Sequence, residues 1–143
     1  MTRVDFYVLE NSDDKAAMQF VCRLAEKAYH LQHSIYIHTD NSQVSEQLDQ
    51  LLWTFKQGSF IPHAIFNSDA AAAGPVVIGH DHEPEENTEV LINFSPRVPE
   101  FFSRFERIVE LVAGDDASRN LARERYKFYR DRGYALETHN LPG

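Results

Sequence analysis

Short apolar runs and helical apolar stripes alternate along the first half of the chain. Residues 4–9 and 34–38 are mostly apolar, which is typical of strands buried within a sheet. Each run precedes a segment whose apolar residues recur at helical spacing: Ala17, Phe20, Val21, Leu24, Ala28 and Leu31, then Val44, Leu48, Leu51 and Leu52. Ser12 and Ser42 are placed to cap these two helices. Two strand–helix units in succession favour a parallel sheet with helices on its faces.

The second half predicts two further strands, residues 75–78 and 89–94, and an edge strand over residues 134–139. Residues 99–114 predict a helix that apolar side chains nearly encircle: Phe101, Phe102, Phe105, Ile108, Val109 and Val112. We therefore expect one α/β domain over residues 1–143, with three α/β/α layers around a mostly parallel sheet. This arrangement is Rossmann-like, but the sequence has no glycine-rich phosphate loop of the kind that binds nucleotides.

A basic segment, residues 119–132, interrupts an acidic chain. It holds six basic and two acidic residues, a net charge of +4, whereas the whole chain carries −8. On a helix that ends at Gly133, one face carries Arg119, Arg123, Tyr126, Lys127 and Arg130. The opposite face, suited to packing on a core, carries Leu121, Ala122, Arg125, Phe128 and Tyr129. The basic face either balances an acidic surface or attracts a negatively charged partner through its local potential.

Composition narrows the class of protein. A chain of 143 residues with 43% apolar residues is large enough to bury a core. No apolar run approaches the roughly 20 residues of a transmembrane helix, and residues 1–11 lack the features of a signal peptide. We therefore expect a cytoplasmic protein with no membrane contact. Cys22 is the one cysteine, so no intrachain disulfide forms, and its helical apolar neighbours predict a buried thiol.

Signatures of catalysis are missing from the sequence, which has no G-x-S-x-G nucleophile elbow. The acidic stretch 79–87 offers four residues of metal-binding type, His80, Asp81, His82 and Glu83. A structural zinc site needs ligands from separated pairs, and no second pair is evident, so a solvated loop is favoured over a metal site. We expect no metal, no cofactor and no catalytic residue.

An aromatic turn, residues 51–63, is the second cluster of interest. Its aromatic residues either end a helix within the core, or Trp53 and Phe60 form an apolar pocket beside Arg123 and Lys127. The second arrangement would suit a short acidic peptide with an aromatic end, because an aromatic anchor and charge-assisted hydrogen bonds would act together.

The chain resembles the chi subunit family of bacterial DNA polymerase III. The resemblance rests on segments that follow the family's order along nearly the whole chain: residues 6–9, 51–53, 59–63, 90–94, 121–130 and 133–134. Residues 121–130, L-A-R-E-R-Y-K-F-Y-R, are the most specific of them. The acidic stretch 79–87 and the alanine run 70–73 depart from the family pattern.

The resemblance implies a non-catalytic subunit that serves DNA replication and repair by binding two proteins. One is the psi subunit, which would tether the chain to the clamp loader. The other is the C-terminal tail of single-stranded DNA-binding protein, in which aspartates precede a terminal Pro-Phe. The positions that match the family's tail site are Trp53, Phe60, Arg123, Tyr126 and Lys127, with Arg119 nearby. No specific binding to DNA itself is implied.

Two other functions stay open from the residues alone. The basic helix, with a tyrosine among its cations, could bind single-stranded nucleic acid directly. A small-molecule enzyme could instead place its site at the carboxyl ends of the parallel strands, although the missing phosphate-binding glycines argue against it.

Overall fold

Strands and helices follow one another along the chain, of which the computed structural model describes residues 2–10, 13–58, 60–66, 74–80, 83–84 and 89–141. The strands are β1 (Arg3–Leu9), β2 (Ile35–Thr39), β3 (His63–Ile65), β4 (Val76–Gly79), β5 (Val90–Phe94), β6 (Arg107–Val112) and β7 (Ala135–Leu141). The helices are α1 (Asp14–His30), α2 (Ser42–Thr54) and α3 (Asp116–Asp131), and a short 3-10 turn spans Phe102–Arg104.

The strands form one sheet in the order β3-β4-β2-β5-β6-β1-β7, and every neighbouring pair is parallel. Helices cover both faces, so the predicted three-layer α/β/α class is confirmed. The first strand lies between the last two, with Val4 opposite both Ile108 and Leu136. The predicted edge strand is also confirmed, since β7 ends the sheet.

Alternation along the strands divides the core into two layers. Ile35 and Ile37 of β2 belong to the layer under α1 and α2, whereas Tyr36 between them belongs to the layer under α3. Helix α2 packs mainly on β3 and β4, at one end of the sheet, and α3 packs on β6 and β7, at the other. The second and third helices therefore lie on opposite faces and at opposite ends.

Helix α1 begins one residue later than the sequence predicts, and helix α2 begins one residue earlier. Asp13 caps α1 and Asn41 caps α2, where their side chains accept hydrogen bonds from the amides of Ala16 and Val44 at 2.9 and 3.0 Å. Ser42 is the first residue of α2 and not its cap, and Ser12 lies outside the described residues. Serine, aspartate and asparagine are comparable caps, so sequence preference could not separate them.

The prediction of a helix over residues 99–114 is wrong. This segment contains the 3-10 turn and then β6, which lies between β5 and β1 in the interior of the sheet. Ile108 and Val112 face α3, whereas Val109 and Leu111 face α1. A parallel strand buried on both faces is apolar on both, and over a short segment that pattern resembles a buried helix.

Candidate functional site

The basic segment forms α3, whose ends follow from local sequence. Asp115 caps the helix by accepting from the Ser118 amide at 3.0 Å. Hydrogen bonds from Ser118 lower the pKa of the Asp115 carboxyl. Gly133 adopts a φ of 81°, and its amide donates to the Arg130 carbonyl at 3.0 Å, which confirms the predicted helix stop.

The inner face of α3 is held to the sheet by a buried polar network around Glu110 of β6. Arg125 Nε donates to this carboxylate at 2.8 Å, Tyr129 Oη donates at 2.6 Å, and Asn93 Nδ2 lies 3.0 and 3.1 Å from its two oxygens. Burial raises the pKa of Glu110, and the contacts with Arg125, Tyr129 and Asn93 oppose that shift. Burial and the nearby Glu110 likewise raise the pKa of Tyr129. The network fixes the rotation of α3 and so decides which residues face outward.

Between α3 and the end of the sheet lies a pocket of about 260 Å³, which we call the cationic pocket. Its lining residues are Phe6, Val8, Glu10, Val112, Arg119, Ala122, Arg123, Tyr126, Thr138 and Asn140. The pocket is smaller than the roughly 300–1,000 Å³ of cavities that hold drug-sized ligands. It suits one side chain of a peptide better than an organic cofactor.

Three predicted site residues meet in the cationic pocket. Arg119 is half-buried, and its Nε is buried with no hydrogen-bond partner in the described part of the chain. Arg123 is exposed, and its Nη1 donates to Asn120 Oδ1 at 2.8 Å. Tyr126 is half-buried with its ring centroid 5.4 Å from that of Phe6. Two guanidinium groups therefore stand over a floor that is partly apolar and aromatic, and Glu10, Thr138 and Asn140 add polar groups to the lining.

Lys127 lies just outside the cationic pocket. It is exposed, and its Nζ is 3.9 Å from the Glu124 carboxylate, a weak surface pair that a stronger anion would displace. Arg130, also exposed, lies 3.4 Å from Asp131 and does not line the pocket. Leu121, predicted to face the core, is 47% exposed instead.

Trp53 and Phe60 lie elsewhere, which corrects the prediction that they share a pocket with Arg123 and Lys127. Trp53 is near the end of α2, and Phe60 immediately precedes the segment leading to β3. Both belong to the end of the sheet opposite α3, and neither lines the cationic pocket. Their exposed fractions are 52% and 80%, so they are surface residues and not core. We call this pair the aromatic surface.

The remaining chemical candidates have structural partners. Cys22 is fully buried, as predicted, and burial raises the pKa of its thiol to about 12. His80 Nδ1 lies 3.1 Å from Ser45 Oγ, and Glu83 pairs with Arg104 at 3.0 Å, whereas Asp81 and His82 lie outside the described residues. The alanine run 70–73 also lies outside them.

Within the described ranges, one group has the composition of a metal site, namely Asp5, Glu137 and His139, whose ligand atoms lie within 4.8 Å of one another. Arg107 Nε and Arg3 Nη2 contact the Asp5 carboxylate at 3.0 and 3.3 Å. A divalent cation would have to displace or repel these two guanidinium groups, so the cluster is better described as a charge network across β1, β6 and β7.

The family model for the DNA polymerase III chi subunit, HolC, matches residues 1–137. The chain belongs to the DNA polymerase III chi subunit family. A chi subunit of Pseudomonas aeruginosa is 42% identical over 142 residues, which cover 99% of each chain. That of Escherichia coli is 29% identical over 143 residues, covering 96% of this chain and 97% of the relative. That of Haemophilus influenzae is 27% identical and covers 95% of each.

The structure adds residues to the candidate site of this chi-family chain that sequence reasoning missed. Phe6 and Val8 come from β1, Val112 from β6, and Thr138 and Asn140 from β7. Only the strand order brings these three elements under α3, so no local pattern signals their role. Among the described residues, no helix is long and apolar enough to cross a bilayer.

Proposed function

We propose that this chain is a non-catalytic replication adaptor that binds the acidic C-terminal tail of single-stranded DNA-binding protein in the cationic pocket. The observation that carries this proposal is the pairing of Arg119 and Arg123 over the apolar floor made by Phe6 and Val112. The chain as a whole has a charge of −8, so this pocket is a local exception that attracts anions.

Each part of the tail has a complementary group. The terminal phenylalanine ring would enter the pocket against Tyr126 and Phe6, whose rings already pack at 5.4 Å. Its carboxylate would accept hydrogen bonds from Arg123 and from the unpartnered Nε of Arg119. The preceding aspartates would meet Lys127 at the pocket's rim.

The aromatic surface is the best place for the second partner, the psi subunit, which would link the chain to the clamp loader. A stable subunit interface needs a desolvated apolar centre, and aromatic residues are the commonest anchors. Phe60 and Trp53 are among the few large apolar residues exposed in the described part of the chain. Their position at the far end of the sheet leaves the cationic pocket open, as an adaptor requires.

Titration calorimetry with a tail peptide ending in Asp-Pro-Phe tests the first half of the proposal. We expect binding at low salt that weakens as salt is added, because exposed charge attraction is screened beyond about 8 Å at physiological ionic strength. A peptide ending in Asp-Pro-Ala is the matched control and should bind more weakly. No binding of the Phe peptide at low salt would overturn the proposal.

Single-stranded DNA is the competing ligand for the same cations. A gel shift with a bare oligonucleotide separates the two functions, since a tail-binding adaptor leaves the oligonucleotide unshifted unless single-stranded DNA-binding protein is added. If the chain alone shifts the oligonucleotide and Arg123→Ala abolishes that shift, direct nucleic-acid binding is favoured.

A further inference from the structure

His63, the first residue of β3, is completely buried through its side chain although it lies directly beneath an exposed aromatic ring. Its imidazole packs against the indole of Trp53, with 4.4 Å between the ring centroids. Nδ1 lies 2.6 Å from the Ile61 carbonyl oxygen, and Nε2 lies 3.0 Å from the Asp49 carbonyl oxygen. One ring therefore contacts three residues, two of them in α2 and one just before β3.

The contact with Asp49 acts on the helical turn that carries Trp53. Residues four apart lie on one face of a helix, and the carbonyl of residue 49 is the acceptor that an α-helix pairs with the amide of residue 53. His63 Nε2 also lies 3.4 Å from the Asp49 carboxylate. The imidazole thus holds the backbone, the acidic side chain and the indole of the same turn.

The contact with Ile61 acts on the other member of the aromatic surface. Phe60 is the residue before Ile61, and Ile61 is itself almost fully buried. A bond from the imidazole to the Ile61 carbonyl therefore fixes the backbone from which the exposed Phe60 side chain extends. The position of the ring proton decides which carbonyl receives a hydrogen bond, and the imidazolium ring serves both.

We propose that His63 is a positioning residue that holds Trp53 and Phe60 as one preformed docking surface for the psi subunit. This inference rests on the proposed function, which assigns the aromatic surface to psi. A preformed pair of aromatic anchors loses less side-chain freedom on binding than two independent surface residues, so its affinity is higher. His63 reaches the partner only through Trp53 and Phe60.

Three substitutions separate the contacts. His63→Asn keeps a donor near the position of Nδ1, His63→Gln keeps one near Nε2, and His63→Ala keeps neither. Trp53 is the one tryptophan of the chain, so its emission and its near-ultraviolet circular dichroism report on this site alone. His33→Ala is the matched control, since it removes a half-exposed histidine that pairs with Glu89 at 3.0 Å, away from Trp53.

We expect His63→Ala to weaken psi binding about tenfold, which corresponds to ~1.4 kcal/mol. We also expect it to shift tryptophan emission to longer wavelength and to reduce the near-ultraviolet signal. Asn or Gln should restore part of both, whereas affinity for the tail peptide should stay unchanged in every variant. His33→Ala should match the unsubstituted chain in all measurements.

One result would overturn the positioning role and leave the docking surface in place: folded His63→Ala binds psi as tightly as the unsubstituted chain, whereas Trp53→Ala loses psi binding. If His63→Ala does not fold, His63→Asn and His63→Gln decide, and affinity equal to that of the unsubstituted chain in both overturns the proposal. If psi binds neither the unsubstituted chain nor any variant, the assigned function fails. In that case tryptophan emission still tests the positioning role of His63. That role is contradicted if the emission of both His63→Asn and His63→Gln equals that of the unsubstituted chain.

Discussion

Arg125 and Glu110 form a buried ion pair, with 2.8 Å between Nε and Oε1, that joins the inner face of α3 to β6. Arg125 Nη2 also donates to the Leu111 carbonyl and Nη1 to the Pro96 carbonyl. Since Arg123 is only two residues earlier and faces outward, the inward arginine sets the direction of the outward one. Arg125, which holds the helix to the sheet, thus positions Arg123, a candidate binding residue.

Arg125→Ala should destabilise the fold strongly, because it leaves the Glu110 carboxylate buried without its cation. Removing one partner of a buried pair costs about 3–5 kcal/mol. Urea unfolding of the purified variant measures this loss. Arg130→Ala removes an exposed arginine of the same helix and serves as the control, with an expected change of about 0–1 kcal/mol. A loss below about 1 kcal/mol for Arg125→Ala would mean that the network does not hold α3.

Arg123→Ala should weaken tail-peptide binding more than Arg130→Ala does. Arg123 lines the cationic pocket, where a partly desolvated charge pair can contribute roughly 2 kcal/mol or more. Arg130 lies outside it and already faces Asp131, so its expected effect is about 0–1 kcal/mol. Calorimetry at one salt concentration compares them. Equal losses in two folded variants would point to diffuse charge attraction without a defined pocket.

The tail peptide and psi should bind at the same time, because the cationic pocket and the aromatic surface lie at opposite ends of the sheet. Peptide affinity measured on the preformed complex with psi should equal that of the free chain. Trp53→Ala should affect psi alone, and Arg123→Ala the peptide alone. Loss of peptide binding in the complex would show that the sites overlap and that the two-surface adaptor is incorrect.

Acid should destabilise the fold partly through Asp5. Burial acts to raise the pKa of this carboxyl, but the contacts with His139, Arg107 and Arg3 outweigh it and hold the pKa below the ordinary value of 3.8. A lowered carboxyl pKa adds stability above that ordinary value, and this stability disappears as the pH falls through the folded value. Urea midpoints across pH 2 to 6 should therefore depend less on pH in Asp5→Asn. An identical pH dependence in both chains would exclude this role.

A helix with a single packing face could be predicted from the sequence, whereas the doubly buried strand β6 was mistaken for a helix. The stripe through Ala17, Val21 and Leu24 predicted α1 because only one side of that helix meets the core. Strand β6 carries apolar residues on both faces, so its short run matched a helix equally well. The polar residue within it, Glu110, has its partner on α3, and no local spacing reveals that pairing.

The cationic half of the candidate site was predictable for a related reason. Arg119, Arg123 and Tyr126 share one helix, so helical periodicity alone brings them together. Trp53 and Phe60 belong to other elements, and their distance from α3 depends on the order of strands in the sheet. Charge composition does not reveal that order. The sequence therefore predicts Trp53 and Phe60 beside α3, although they lie at the opposite end of the sheet.

The walls of the cationic pocket come from both ends of the chain, Phe6 and Val8 from the first strand and Thr138 and Asn140 from the last. During synthesis, β1 is made long before β6 and β7, the two strands with which it pairs. Pairing between residues that are far apart in the sequence slows folding. An interrupted translation product that lacks β7 would carry the basic helix without Thr138 and Asn140, which form one wall of the pocket. A ligand of the completed pocket, such as the tail proposed above, would then bind only once the last strand has paired.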